Sequence, residues 1–243
     1  MSNKNKIKNL FFKITPVKSG SDIKNIFLNL DPVSRPKILA FLNAHAVNLA
    51  AEDSAFYRQI LSCDVLLRDG IGVKIGLSIF SISSGLNMNG TDFIPKVLEV
   101  YKGRRIAFYG TKEPYLQDSV EWAESKSLKV VSSIDGFQSE QFYIDDLNKT
   151  LPDIIVLGMG MPKQEFLANR IRQECTSPMI IICGGAVLDF KAERFLRAPK
   201  WMRYLAIEWV FRLFMEPARM WKRYLLGNFK YLFRVIVSRF KKD

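Results

Sequence analysis

The 243-residue sequence predicts an α/β fold: a mostly parallel sheet with helices on both faces, followed by a basic amphipathic C-terminal helical appendage. Three observations predict it. From Arg104 onward, short apolar runs alternate with segments of helical period. Four of these runs in succession end in glycine, and from Pro199 the composition turns aromatic and basic together. Such alternation is what a doubly wound parallel sheet requires.

The elements follow in order. After a polar start, Pro36 to Leu42 (PKILAFL) reads as the first buried strand, and His45 to Leu61 as a helix with Val47, Ala50, Ala51, Ala55 and Ile60 available for one face. The run Val65-Leu66-Leu67 closes on Arg68-Asp69-Gly70, a buried strand ending in a tight turn and a helix start. Ser78 to Gly90 is rich in Gly and Ser. It fits a mobile flap beside a crevice or a plain connection, with Thr91-Asp92 capping the helix that runs to Tyr101. Strands are then expected at 105–109, 128–134, 153–157 and 178–183, with helices at 113–126, 139–149 and after Pro162. In the tail, Pro217 starts a new helix and Gly227-Asn228 is a candidate break. An uninterrupted helix there puts Arg219, Arg223, Lys230 and Arg234 on one face, opposite Trp221, Leu225, Phe229, Leu232 and Ile236.

Side chains at the carboxyl ends of strands in an open α/β sheet point into the ligand crevice. Asp69 stands at such an end, where a shielded carboxylate acts as a general base; as a helix N-cap it would instead bind backbone amides. Asn43 ends the first strand and suits either a ligand hydroxyl or loop backbone, while His45 reads as a helix-start residue. Gly110, Gly136, Gly158 and Gly160 end the later strands and let backbone amides approach an anion, which favours a nucleotide or sugar-nucleotide ligand. Neither GxGxxG nor a Walker pattern is present, so a nicotinamide dehydrogenase is disfavoured. With one histidine and no DxD carboxylate pair, no metal and no cofactor are expected; Asp145-Asp146 reads as a solvated mid-helix pair.

Charge is concentrated at the ends. Residues 191–243 hold 14 Lys/Arg against 4 Asp/Glu, residues 1–13 hold four lysines, and the span between is net −2. An anionic membrane surface fits a tail whose cations are mixed with Trp, Phe and long aliphatics, and nucleic acid ranks below it. A tail helix packed on the sheet domain or on a second subunit is the other reading, so a homo-oligomer stays open. No run reaches the roughly 20 apolar residues that a bilayer span needs. Cys63, Cys175 and Cys183 form no CxxC pair, and the expected location is the cytoplasm.

Together NAHAVNLA, RDGIGV, NGTDF, PDIIVLGMGMPKQE, CGGAVLDF and RAPKWMRYLAIEWVFRLFMEPARMWKRY make residues 36–226 resemble the WecG/TagA/CpsF family of bacterial glycosyltransferases. The resemblance implies a Rossmann-like catalytic domain over residues 1–198 and a membrane-associating appendage over residues 199–243. It also implies transfer of a hexose-type sugar, such as N-acetylmannosamine, from a UDP-sugar to a polyprenyl-diphosphate-linked acceptor at the inner face of the cell membrane. By motif, Asp69 would be the base of an inverting transfer, Asn43 and Gln164 would line the substrate pocket, and Arg212, Arg219 and Lys222 would bring positive charge to it. Two positions depart from the family: Phe41 stands where some members have Thr, and Lys222 where Arg is common, exchanging a bidentate contact for a point charge. A non-catalytic UDP-binding or membrane-recruited module is the rival reading.

Overall fold

The computed structural model describes residues 3–204 and 207–240. Leu205 and Ala206, inside the motif block of the tail, and the terminal Lys241-Lys242-Asp243 lie outside the described residues. Six strands form one sheet: β1 (Lys37–Leu42), β2 (Val65–Arg68), β3 (Arg105–Gly110), β4 (Lys129–Ile134), β5 (Ile154–Gly158) and β6 (Ile180–Cys183). Their order is β2-β1-β6-β5-β3-β4 and every pairing is parallel. The central strands are near-continuous apolar runs because both of their faces are covered. KILAFL, IIVLG and IIIC are buried almost throughout, whereas β4 at the edge is half-exposed.

Helices cover both faces. On one side α3 (Ala44–Glu52), α4 (Ser54–Ser62), α8 (Glu140–Thr150) and α9 (Lys163–Glu174) bury Val47, Phe56, Leu147 and Leu167 in a common core. On the other, α2 (Gly20–Leu30), α6 (Gly90–Val100), α7 (Tyr115–Ser125) and the short α10 (Val187–Lys191) bury Ile26, Ile94, Val120 and Leu188. The span from His45 to Leu61 is two helices, not one. Asp53 adopts an extended conformation between them, and its carboxylate caps α4 by accepting from the amides of Ala55 (2.7 Å) and Phe56 (3.2 Å). Asp146 is also not a solvated carboxylate, since it accepts from the hydroxyls of Tyr109 (2.5 Å) and Ser132 (2.7 Å).

The polar start holds α1 (Asn3–Lys13) as well as α2. Ile7, Leu10 and Phe11 of α1 are buried in the first core, and Ser19 and Asp22 form a capping box at the head of α2. After β2 comes α5 (Ile71–Ile79), and the Gly/Ser-rich stretch is the connection from there to Asn89, the residue that caps α6.

The tail folds into α11 (Lys200–Tyr204), α12 (Glu208–Met215), α13 (Pro217–Trp221), a π-helical turn over Lys222–Leu226 and α14 (Gly227–Phe240). Gly227 keeps right-handed helical angles (φ −65°, ψ −40°) and does not break the rod. The π turn instead shifts the phase of everything after it. As a result Arg234 is not part of a solvated cationic face: its guanidinium donates to the side chains of Asn48 (2.9 Å) and Glu52 (2.6 Å). Tyr231, Val235 and Ser238 form the buried face of α14, against α1, α3 and α5. The fit depends on Gly76, because a Cβ there would lie 2.2 Å from the Tyr231 hydroxyl and 2.6 Å from the Phe11 ring. Phe229, Phe233, Ile236 and Phe240 remain exposed as one stripe along the outside. Among the described residues no helix is long and apolar enough to cross a membrane.

Candidate active site

A cavity of about 700 Å³ opens at the carboxyl ends of β2, β1, β6 and β5, roofed by residues of α12, α13 and the π turn. Its floor follows from strand-end chemistry. The Asp69 amide donates to the Leu42 carbonyl (2.9 Å), tying the end of β2 to the end of β1. The N-cap of α5 is Gly70, at φ +87°, so the Asp69 carboxylate is not used up in capping. It lines the cavity. Asn43 serves two partners at once. Its Oδ1 accepts from the Ala46 amide (3.0 Å), capping α3, and its side chain lies close enough to Asp69 to favour the ionised carboxylate.

Burial pushes the Asp69 carboxyl up to about 6, and the carboxylate of Glu208 acts in the same direction. Arg223, the Asn43 amide and Arg212 oppose them. This leaves a group that is largely ionised at neutral pH yet basic enough to take a proton. His45, in the first turn of α3, also lines the cavity; burial, then the charge of Arg223, lowers its pKa to about 4, so it is a neutral hydrogen-bonding ring there.

The roof is cationic. Arg203, Arg212, Arg219 and Arg223 line the cavity. The Nε atoms of Arg203, Arg212 and Arg223 are buried and make no hydrogen bond among the described residues. Arg212 is held over the Phe190 ring (5.4 Å) and Arg219 over the Phe195 ring (4.6 Å), contacts that fix the guanidinium planes. Lys222 is not among the lining residues: its ammonium sits over the Trp221 ring at 5.6 Å. The next residue, Arg223, turns inward instead. Its signal in the sequence is the spacing of Arg219 and Arg223, one helical turn apart.

Gly158 and Gly160 line the cavity, but Gly110 and Gly136 do not. A Cβ on Gly110 would lie 2.4 Å from the Gly158 backbone, and one on Gly136 would lie 3.3 Å from Gly110. Those two glycines therefore let the loops after β3, β4 and β5 pack together. Gln164 lines the cavity while its polar atoms are already engaged. Its Oε1 accepts from the Gly185 amide (2.9 Å) and its Nε2 donates to Glu165 (2.7 Å). Glu165 is fully buried, and burial raises its pKa to about 7. Phe41 gives the cavity an apolar wall next to Asn43. Among the described residues, no group of three or more His, Cys, Asp and Glu could hold a metal ion.

Residues 13–243 match the model of the Glycosyl transferase WecG/TagA/CpsF family. Three relatives share one name, N-acetylglucosaminyldiphosphoundecaprenol N-acetyl-beta-D-mannosaminyltransferase. The Bacillus subtilis (strain 168) protein is 28% identical over 77% of this chain and 75% of its own length. The Bacillus spizizenii protein is 26% identical over 74% and 71%, and that of Staphylococcus aureus (strain MW2) 25% over 90% and 85%.

Proposed function

The chain belongs to the WecG/TagA/CpsF family of glycosyltransferases, and from that premise we propose that it moves a hexose-type sugar from a UDP-sugar to a polyprenyl-diphosphate-linked sugar, with inversion. The names of the relatives favour N-acetylmannosamine as the sugar and N-acetylglucosaminyl diphosphoundecaprenol as the acceptor. One observation carries the residue roles: a carboxylate with its pKa near 6 and several incompletely bonded arginines face the same cavity.

In this reading the Asp69 carboxylate takes the proton of the acceptor hydroxyl. The hydroxyl oxygen then attacks the anomeric carbon from the side opposite the nucleotide. The bond from that carbon to the diphosphate breaks and its electron pair leaves with UDP. Arg212, Arg219 and Arg223 meet the charge that develops there, and Arg212 and Arg223 are half-buried, where fixed cations are more effective than in bulk water. Asn43 orients the base, and neutral His45 is available to a sugar hydroxyl. Gln164 holds the loop of Gly184 and Gly185 in place. The exposed phenylalanine stripe of α14 and the cationic tail support peripheral attachment to the inner face of the cell membrane.

The test is Asp69→Asn. Transfer should fall by about 10²-fold or more, as expected on losing a general base, while UDP-sugar binding measured by calorimetry persists. Wild-type turnover in the variant would remove Asp69 from the role.

A further inference from the structure

Not all of the cavity is polar. Ile71 and Ile75 of α5 line it together with Leu225, Phe229 and Leu232 of the tail. Ile71 and Ile75 are one turn apart and share a face of their helix. The two helices meet through Tyr231, whose hydroxyl donates to the Gly72 carbonyl (2.9 Å) and whose ring rests over Gly72. The apolar side chains flank this seam. Leu225 and Phe229 are 44% and 75% exposed, and Phe233, Ile236 and Phe240 carry the apolar surface on to the end of the helix. From Leu225 to Phe240 the rod rises about 22 Å at 1.5 Å per residue. An apolar track thus runs from the outer surface into a chamber whose floor is Asp69 and whose roof is arginine.

A ligand that fits this path is polar and anionic at one end and long and apolar at the other. We infer that the seam between α5 and α14 binds the isoprenoid chain of a polyprenyl-diphosphate-linked acceptor, leading its sugar to Asp69. The inference rests on the lipid-linked acceptor proposed above. It adds a place for the chain, so that chain length contributes to acceptor binding directly and not only through recruitment to a bilayer.

The experiment uses the full chain in detergent, where bilayer recruitment plays no part, with UDP-N-acetylmannosamine as donor. The acceptors are N-acetylglucosaminyl diphosphates carrying one, three or eleven isoprene units. The expected result is an acceptor KM at least 10-fold lower for eleven units than for one. Ile75→Asn and Leu225→Asn, at half-exposed positions, should shrink that ratio toward one, with the change confined to acceptor KM rather than donor KM. A photoreactive prenyl diphosphate incubated with the unaltered protein should label residues 71–75 and 225–232, a readout independent of how the variants fold. Transfer with no chain-length preference, or labelling elsewhere, overturns this inference and leaves the proposed reaction standing. No transfer to any of the three acceptors overturns both.

Discussion

Two acids with raised pKa values answer to pH in different ways. As the proposed base Asp69 acts only when ionised, and its pKa is pushed up to about 6 by burial and by Glu208. Transfer should therefore rise with pH through about 6 and level off above it, and a pH profile of kcat measures this directly. Arg223→Ala should move the rising limb to higher pH, because a cation that favours the carboxylate form is lost. Glu165 contributes to stability instead. Burial raises its pKa from 4.5 to about 7, so the folded chain binds a proton that the unfolded chain has already released. The stability tied to that proton is complete below about pH 4.5 and is lost as pH rises through about 7. At about 1.4 kcal/mol per pH unit the loss is on the order of 3–4 kcal/mol. Glu165→Gln keeps an acceptor for Gln164 and abolishes the ionisation. Thermal unfolding of this variant should change less between pH 5 and pH 8 than that of the wild type.

Among the elements, α14 depends on a close approach that only glycine permits. Gly76→Val would drive two methyl groups into Tyr231 and Phe11, so the helix must shift off α5. Overpacking of this kind costs about 1–3 kcal/mol, and a matching drop in Tm, with faster amide exchange in α14, is the expected outcome. The strands were legible in the sequence because a sheet covered on both faces needs continuous apolar runs. KILAFL and IIVLG mark themselves without help from neighbours. Helices α1 and α2 were not legible. Each has 11 residues, too few to persist alone in water, and α1 owes its place to tertiary burial of Ile7, Leu10 and Phe11. In the candidate site, Asp69 and Asn43 could be found because strand ends in this fold class point at ligands. Arg223 is legible too, one regular helical turn from Arg219, whereas the seating of Arg234 on Asn48 and Glu52 follows a π turn that no regular helical projection contains.

For the whole molecule, the tail is both the roof of the cavity and part of the body. Removing residues 200–243 would uncover Gly72, Gly76 and the buried surface of α1, so lost activity in such a truncation would mix catalysis with stability. Substitutions on the outward stripe separate them. Phe233→Ser with Phe240→Ser changes side chains that are 70% and 72% exposed, and should leave Tm within about 1 °C of the wild type. The same pair should weaken sedimentation with neutral and anionic vesicles alike. Raising salt from 0.1 to 0.5 M should weaken only the anionic case, because the charge component is screened over a Debye length of about 10 Å at the lower concentration. Equal salt sensitivity on both vesicle types would assign the attachment to something other than basic charge.

The π turn has an evolutionary consequence. A helical residue advances about 100° around its axis, so deleting one position between Lys222 and Leu226 would rotate the rest of the rod by over a quarter-turn. Phe233 would swing toward the interior and Tyr231 out of its seat. Arginine placement before the turn and phenylalanine placement after it are geared to one another, and indels in this pentapeptide should be rare unless a second indel restores the phase.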